Sequence, residues 1–436
     1  IGIGGECFCE TSLKTVVIPD SVTYVGNCLF RECIHIERAV IGRSMTEIPN
    51  KMFEGCKSLE SVTVLGNVKV IGERAFYYCD HLADISLPDS VSRICESAFE
   101  GCLALRSVNL GQKLVSIGRH AFRGCKGITG LIIPSAADDI SSGIIFECGN
   151  IERLEVREGN RRYHSYHNCI IDTEQKQLVY GCKNSVIPDD GSVTEIARYA
   201  FSGTSGLTRI TIPDCIHTID EGAFSLCPDL IEITLPTGIN RVEERLFAGC
   251  KSLTRVYLPD SVEYIGYFAF FYCQSIKYIR FPSRDPECSY NAFDMCGRSA
   301  AYFRFIPDPE RKLRAALDWL AGDREETDNA EEIITYAKRN KLKLIGLTFE
   351  NSNVAAFDGL IKVLGSSKIA LENIDGFLAR RDGGAELKAA IMRYKMTVYS
   401  VEEQEKYENR KTEIALGIAE PTQAQLRRLF RCRETD

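Results

Sequence analysis

Leu253-Thr254-Arg255-Val256-Tyr257-Leu258-Pro259-Asp260-Ser261-Val262-Glu263-Tyr264-Ile265-Gly266, running on to Ala269-Phe270 and Cys273, decides the fold. Val256 and Leu258 alternate with more polar neighbours, the period-two pattern of a short strand buried on one side. Pro259 has no backbone N–H and stops that strand. Val262 and Ile265 open a return leg, and Gly266 is expected to permit the bend before the Phe segment.

The same order repeats along the chain. Phe30, Phe53, Phe76, Phe99 and Phe122 follow one another at 23 residues, Phe146 arrives one residue late, and the period resumes at Phe201, Phe224, Phe247, Phe270 and Phe293. One unit cannot bury its apolar side alone. Stacked, eleven turns give parallel strands about 4.8 Å apart, a continuous core, and a rod or arc about 50 Å long. Cys7 sits where a first Phe is due, so the first turn is expected to lack its ring. The chain opens at Ile1-Gly2-Ile3 without Met, which suggests that the array starts upstream.

The composite pattern LxxVxLPDSVxxIGxxAFxxCxxL at 82–105 and 253–276 resembles the BspA-like leucine-rich repeats over roughly residues 7–296. The resemblance implies a right-handed solenoid with strands on one face. It also implies protein or surface recognition without catalysis, often in bacterial surface or secreted proteins. The chain is therefore expected to be a leucine-rich repeat solenoid over 1–296, followed by an all-α domain over 297–436. An interruption at 151–195 is similar to the family's two-stranded insertion. From the residues alone, Cys169-Ile170-Ile171-Asp172 and Leu178-Val179-Tyr180 flank the polar Thr173-Glu174-Gln175-Lys176 as a hairpin within about 156–188.

Nineteen cysteines are a high count, and the repeat places them. Cys33, Cys56, Cys79, Cys102, Cys125, Cys227, Cys250, Cys273 and Cys296 each follow a repeat Phe by three residues, whereas Thr204 replaces Cys after Phe201. Paired CxxC spacing is lacking, so the column reads as buried thiols acting as small hydrophobes rather than as a metal or disulfide array. Reduced thiols favour a reducing, cytoplasmic-like setting, whereas the family resemblance favours the cell surface. His164, His167, Cys169 and Cys182 are the types zinc uses, but on a strand the two histidines would face opposite ways. No metal and no cofactor is expected.

A net charge of −7 argues against nucleic acid as partner, and no apolar run approaches the ~20 residues of a membrane span. Nucleophile-elbow, zinc-helix and phosphate-loop motifs are missing, so neither catalysis nor a small-molecule substrate is expected. What remains is a protein–protein interaction scaffold. The alternative is a bacterial surface adhesin for host matrix or carbohydrate.

Third and fifth positions of each LxxVxL strand should face outward. The first turns place mostly small polar residues there, such as Ser61, Thr63, Asp84 and Ser86. The last turns place Arg209, Glu232, Arg255, Tyr257, Tyr278 and Arg280 there, rich in the residue types that concentrate at interface hot spots. These six are the candidate partner-binding residues.

After Cys296 the period vanishes. Helical spacing follows at Leu313-Ala316-Leu317-Leu320 after Pro309, Ile333-Ala337, Phe357-Leu360-Ile361-Leu364, Ile374-Phe377-Leu378 and Leu387-Ala390-Ile391-Tyr394. A last helix is expected from Pro421, with Leu426, Leu429 and Phe430 on one side and Arg427, Arg428, Arg431 and Arg433 as a basic end. Residues 378–387 weakly resemble an ankyrin helix–turn–helix, and 337–341 a second copy.

Overall fold

The alternation at Val256 and Leu258 recurs as a wound strand in most turns of the computed structural model. The model describes residues 1–297, 299–322, 329–365 and 367–416. Two units emerge, Ile1–Phe305 and Ile306–Asp436. The first is a parallel-strand solenoid of about twelve turns.

Strands pair in parallel at matching repeat positions. Thr15, Arg38, Ser61 and Asp84 form one column of pairs, and Glu232, Arg255 and Tyr278 another. The return legs make a second ladder through Glu47, Val70, Arg93, Ser116 and Asp139. The strand ladder is interrupted where the core is not. Only the bridge Ile85 to Val108 enters the turn lacking Pro-Asp-Ser at 111–114, and residues 207–212 form no strand.

Beneath both ladders the Phe rings stack face to face. Phe30, Phe53, Phe76, Phe99 and Phe122 sit 5.1 to 5.5 Å apart, and Phe201 to Phe293 5.1 to 6.0 Å apart. Phe8 extends the stack, 5.7 Å from Phe30. The first turn therefore does carry its ring, one residue off the 23-residue spacing, and the turn count rises from eleven to twelve. Phe146 is not a late member of the stack. Ile145 holds the inward place, 7% exposed, while Phe146 lies half-buried against Arg123 and Tyr199.

Around most rings the backbone turns twice through the left-handed region. Arg74 and Tyr78 flank Phe76 with φ of 51° and 53°, and Phe268 and Tyr272 flank Phe270 with 54° and 59°. Such residues cost about 1–2 kcal/mol each. Hydrogen bonds to the next turn offset this, as from Arg74 N–H to Glu96 C=O at 3.1 Å and from Tyr78 N–H to Glu100 C=O at 2.8 Å. Gly266 serves a different need from the expected bend. Its φ is not left-handed, but a Cβ there would meet the Glu244 backbone nitrogen of the preceding turn at 2.9 Å.

The cysteine column does more than fill space. Cys56, Cys79, Cys102, Cys125, Cys227 and Cys250 each point the thiol at the carbonyl of the Phe 26 residues earlier, at 3.1 Å. Cys148, three residues after Ile145, joins them with 2.9 Å to Phe122. The thiol is thus both a small apolar filler and a weak donor stitching one turn to the next. All cysteines among the described residues are free.

The insertion has three strands where two were expected. Tyr163–Tyr166 pairs antiparallel with Cys169–Asp172 through a turn at His167 and Asn168, both with positive φ. Cys169–Asp172 then pairs with Gln177–Tyr180, which rejoins the return ladder at Glu195–Ile196. The buried Tyr180 hydroxyl donates to Ser141 C=O and accepts from Ile144 N–H, tying the insertion to the turn before it. Asp172 is buried beneath Arg162 at 2.8 Å and accepts the Glu174 and Gln175 amides, which shapes the second turn.

Across the insertion the stack closes directly, Ser205 N–H bonding Gly149 C=O at 3.0 Å. A Cβ on Gly203 would lie 2.5 Å from the Cα of Glu147. The left-handed φ of Gly203 adds a strain that Tyr78 and Leu226 bear at the equivalent position; backbone proximity comes on top of it. Gly203→Ala is expected to cost about 2–3 kcal/mol, through overpacking against a backbone that cannot yield. Hydrogen exchange should show the Ser205 amide losing protection first. An unchanged exchange rate there would contradict the close approach.

At the far end, residues 299–305 form a short 3-10 segment. It lays Tyr302 on Phe293 at 4.8 Å and Phe305 against Phe281 at 4.8 Å, covering the last turn of the core.

The second unit is helical. Its helices are α1 Pro309–Ala321, α2 Ala330–Arg339, α3 Lys341–Glu350, α4 Val354–Leu364, α5 Leu371–Leu378, α6 Ala385–Val398 and α7 Val401–Ala415. Asp308 caps α1 by accepting from Arg311 N–H, with Pro309 at its start. Ala316, Leu317 and Leu320 are buried as their spacing implies, and α1 packs chiefly on α4. A capping box of Ser400 and Glu403 opens α7, which buries none of its residues. The helix expected from Pro421 and its basic end lie outside the described residues.

Candidate partner-binding surface

On the strand face of the last turns, Ile233, Val256 and Ile279 point inward and are at most 1% exposed. Alternation therefore sends their neighbours outward. Parallel register sets Glu232, Arg255 and Tyr278 in one column, and Thr234, Tyr257 and Arg280 in the next. Five of the six expected residues are thus brought together by the pleat itself. Tyr257 and Tyr278 lie 5.8 Å apart, tilted by 55°, so each ring leans on the other while keeping one side outward.

Arg209 is exposed but does not join the register, since residues 207–212 form no strand. The preceding strand, Arg153–Val156, is instead engaged by the insertion, its Leu154 and Val156 amides donating to Asn168 Oδ1 and Ser165 Oγ. The link to the next turn is the bond from Ile231 N–H to Thr208 C=O at 3.0 Å. Arg209 therefore sits at the margin of the patch rather than at the head of its column.

The turn regions beside the patch set its electrostatics. Asp260 accepts the Ser283 amide at 2.8 Å and its hydroxyl at 3.0 Å, which holds the Asp260 carboxyl below its ordinary range. Arg280 approaches the same carboxylate only at 3.9 Å, with its side chain about half exposed.

A second feature was not anticipated. Three residues before the repeat Phe, most turns carry Asn, Glu, Arg or Ser, but the last two carry Tyr267 and Tyr290. These are 46% and 75% exposed and meet edge to face at 6.1 Å. Tyr264 lies under Arg241 at 4.2 Å, and Tyr272 beneath Lys251 at 5.4 Å. Tyrosines thus surround the last two turns on the strand, return and turn sides. Reading every exposed column down the repeat, and not the strand columns alone, would have found them.

A groove of about 520 Å³ on the turn side is floored by Gly101, Gly124 and Gly203. Arg123 at its centre is held by Glu100 at 3.2 Å and Glu147 at 3.3 Å, and Ser97 donates to Glu100 at 2.7 Å. His164 bonds Thr173 at 2.8 Å, while His167 sits in the turn against Tyr166, so the two histidines diverge as their spacing suggested. Among the described residues no three metal-ligating side chains gather, and no helix is long and apolar enough to cross a membrane. Burial and the neighbouring Glu195 raise the Asp220 carboxyl to about 6, with Arg198 opposing.

Comparison with known proteins places this geometry. The family model of the BspA type leucine rich repeat region matches residues 1–129, 93–170 and 175–299, in six copies. A leucine rich cell surface protein from Faecalibacterium prausnitzii is similar at 25% identity and a TM-score of 0.60, over 68% of this chain and 80% of that one. A leucine-rich repeat protein from Eubacterium ventriosum shares the fold at 20% identity and a TM-score of 0.50, over 65% of this chain and 88% of that one. The pneumococcal vaccine antigen PcpA shares it at 22% identity and a TM-score of 0.52, over 61% and 71%. No curated protein matches the chain significantly.

Proposed function

This chain belongs to the BspA-type leucine-rich repeat family, and from that premise we propose that it is a non-catalytic scaffold whose last turns hold a protein partner. Glu232, Arg255, Tyr257, Tyr278 and Arg280 form the contact surface, with Arg209 at its margin. The observation that carries this reading is the register, which aligns two arginines and two tyrosines on a flat face with buried neighbours between them. Rigid aromatic area flanked by guanidinium donors is the composition of interface hot spots. The patch also coincides with the two turns whose other exposed columns turn aromatic.

Replacing Arg255 and Tyr257 together with Ala should weaken capture of the partner from the source cell at least 100-fold, from about 2 kcal/mol or more per hot-spot residue, by the usual cost of such truncations. Circular dichroism and the urea midpoint should stay unchanged, since both side chains point away from the core. Undiminished capture would remove the patch from consideration.

A second reading, a bacterial surface adhesin for host matrix or carbohydrate, draws on the similarity to a protein named for the cell surface. Protease treatment of intact source cells separates the two. Cleavage of the chain in unbroken cells supports the adhesin, and protection until lysis supports an internal scaffold.

A further inference from the structure

Resting on the strand-face reading, we propose that what binds there is an acidic, extended segment of polypeptide. The strands and following turns of the last two repeats, 253–260 and 276–283, carry Arg255, Lys277 and Arg280 against Asp260, and the adjoining Arg284 is balanced by Asp285. Both acids are engaged by their own chain. Asp260 receives the Ser283 amide and hydroxyl, and Asp285 is held by Arg304 at 2.5 Å. Lys277, Arg280 and Arg284 are exposed. The corresponding segments of the first four turns, 13–20, 36–43, 59–66 and 82–89, carry Lys14, Arg38 and Arg43 against Asp20, Glu37, Glu60, Asp84 and Asp89. A chain of net charge −7 therefore presents a basic strand face where its tyrosines gather.

Complementary charge at such a face steers association and selects the partner's sign. Spacing and composition favour polypeptide. Outward positions two residues apart along a strand are separated by about 6.6 Å, the spacing at which same-side residues of an extended chain recur. Tyr257 and Tyr278 offer ring surface to peptide planes and aliphatic stems between the charges. With Glu232 of the adjoining strand counted, the surplus is about one positive charge, which suits a short acidic segment and falls well short of the charge density of a sulfated polysaccharide.

The full chain should be titrated by fluorescence polarisation against three labelled probes, at 50 and 300 mM NaCl. These are a twelve-residue peptide alternating Glu and Thr, its Gln counterpart, and a heparin octasaccharide. The Glu peptide should bind at low salt and at least tenfold more tightly than the Gln peptide. The joint change Lys277→Glu and Arg280→Glu should weaken it at least tenfold, whereas Arg157→Glu with Arg161→Glu, on the insertion, should leave it within twofold. Equal binding of the Glu and Gln peptides, binding of heparin alone, or indifference to reversal at 277 and 280 would overturn the proposal.

Failure of the patch itself reads differently. If Tyr257→Ala abolishes capture of the natural partner while reversal at 277 and 280 does not, the surface stands and the acidic class falls. If neither change matters to capture, the surface reading falls with it.

Discussion

Raising the pH from 8 to 10 should destabilise the solenoid markedly. Burial holds the thiols of Cys56, Cys79, Cys102, Cys125, Cys148, Cys227 and Cys273 well above their ordinary value of 9.0, Cys148 at about 12. An acid whose pKa is raised by folding keeps its proton in the native chain and gives it up in the unfolded one. Its contribution is fully present below about pH 9 and is lost as the pH climbs toward the folded value. At pH 10 each such thiol removes on the order of 1 kcal/mol. Seven together remove several kcal/mol, a substantial share of the stability of a folded domain. Urea midpoints followed by circular dichroism from pH 7 to 10 should be flat to about pH 8 and then fall with increasing steepness. Because Lys and Tyr also titrate there, the slope is the informative quantity. With Cys79, Cys102 and Cys125 replaced by Ala, it should be shallower between pH 9 and 10 by about 3 kcal/mol per pH unit. An unchanged slope would mean that the ladder thiols are not shut away from water.

The second large effect concerns the ring stack. Phe99 is fully buried, its centroid 5.1 Å from Phe76 and 5.4 Å from Phe122. Phe99→Ala should cost about 3–5 kcal/mol, from lost apolar burial and the cavity left behind. In a repeat array each turn rests only on its neighbours, so the damage should centre on one interface. Hydrogen exchange should show accelerated opening of the turns around 76–125 while the turns beyond 224 keep their protection. Phe146→Ala provides the contrast. That ring lies outside the stack against Arg123, and its loss should cost less than about 1 kcal/mol, the usual range for partly exposed contacts. Equal effects at the two positions would contradict the assignment of Ile145 to the core column.

These contrasts show where the sequence spoke clearly. A period of 23 residues with alternating apolar positions is enforced by the core, because each inward residue touches the same residue one turn away. The strand register, the cysteine column and the outward set from Glu232 to Arg280 follow from counting. Positions at which the chain slips by one residue did not follow. Phe8 and Ile145 are both found by asking which side chain lies beneath Phe30 and beside Phe122, a question about space rather than spacing.

Other elements depended on local chemistry that apolar periodicity does not display. The strand Tyr163–Tyr166 exists because His167 and Asn168 accept positive φ in a two-residue turn. In α7 the apolar residues are few, and its signal was the Ser400–Glu403 capping box. Arg209 sits at the margin because the insertion engages the preceding strand, Arg153–Val156, and residues 207–212 form no strand. Tyr267 and Tyr290 were visible in the sequence but lay in a column that strand logic does not inspect.

The central claim, recognition through the strand face of the last turns, is tested most directly by hydroxyl-radical footprinting of the full chain with and without its captured partner. Tyr257 and Tyr278 should become protected on binding, together with neighbouring strand residues, while Tyr24 and Tyr166, exposed at 59% and 41%, should not change. Full reactivity of Tyr257 and Tyr278 in the complex, with protection elsewhere, would contradict the account.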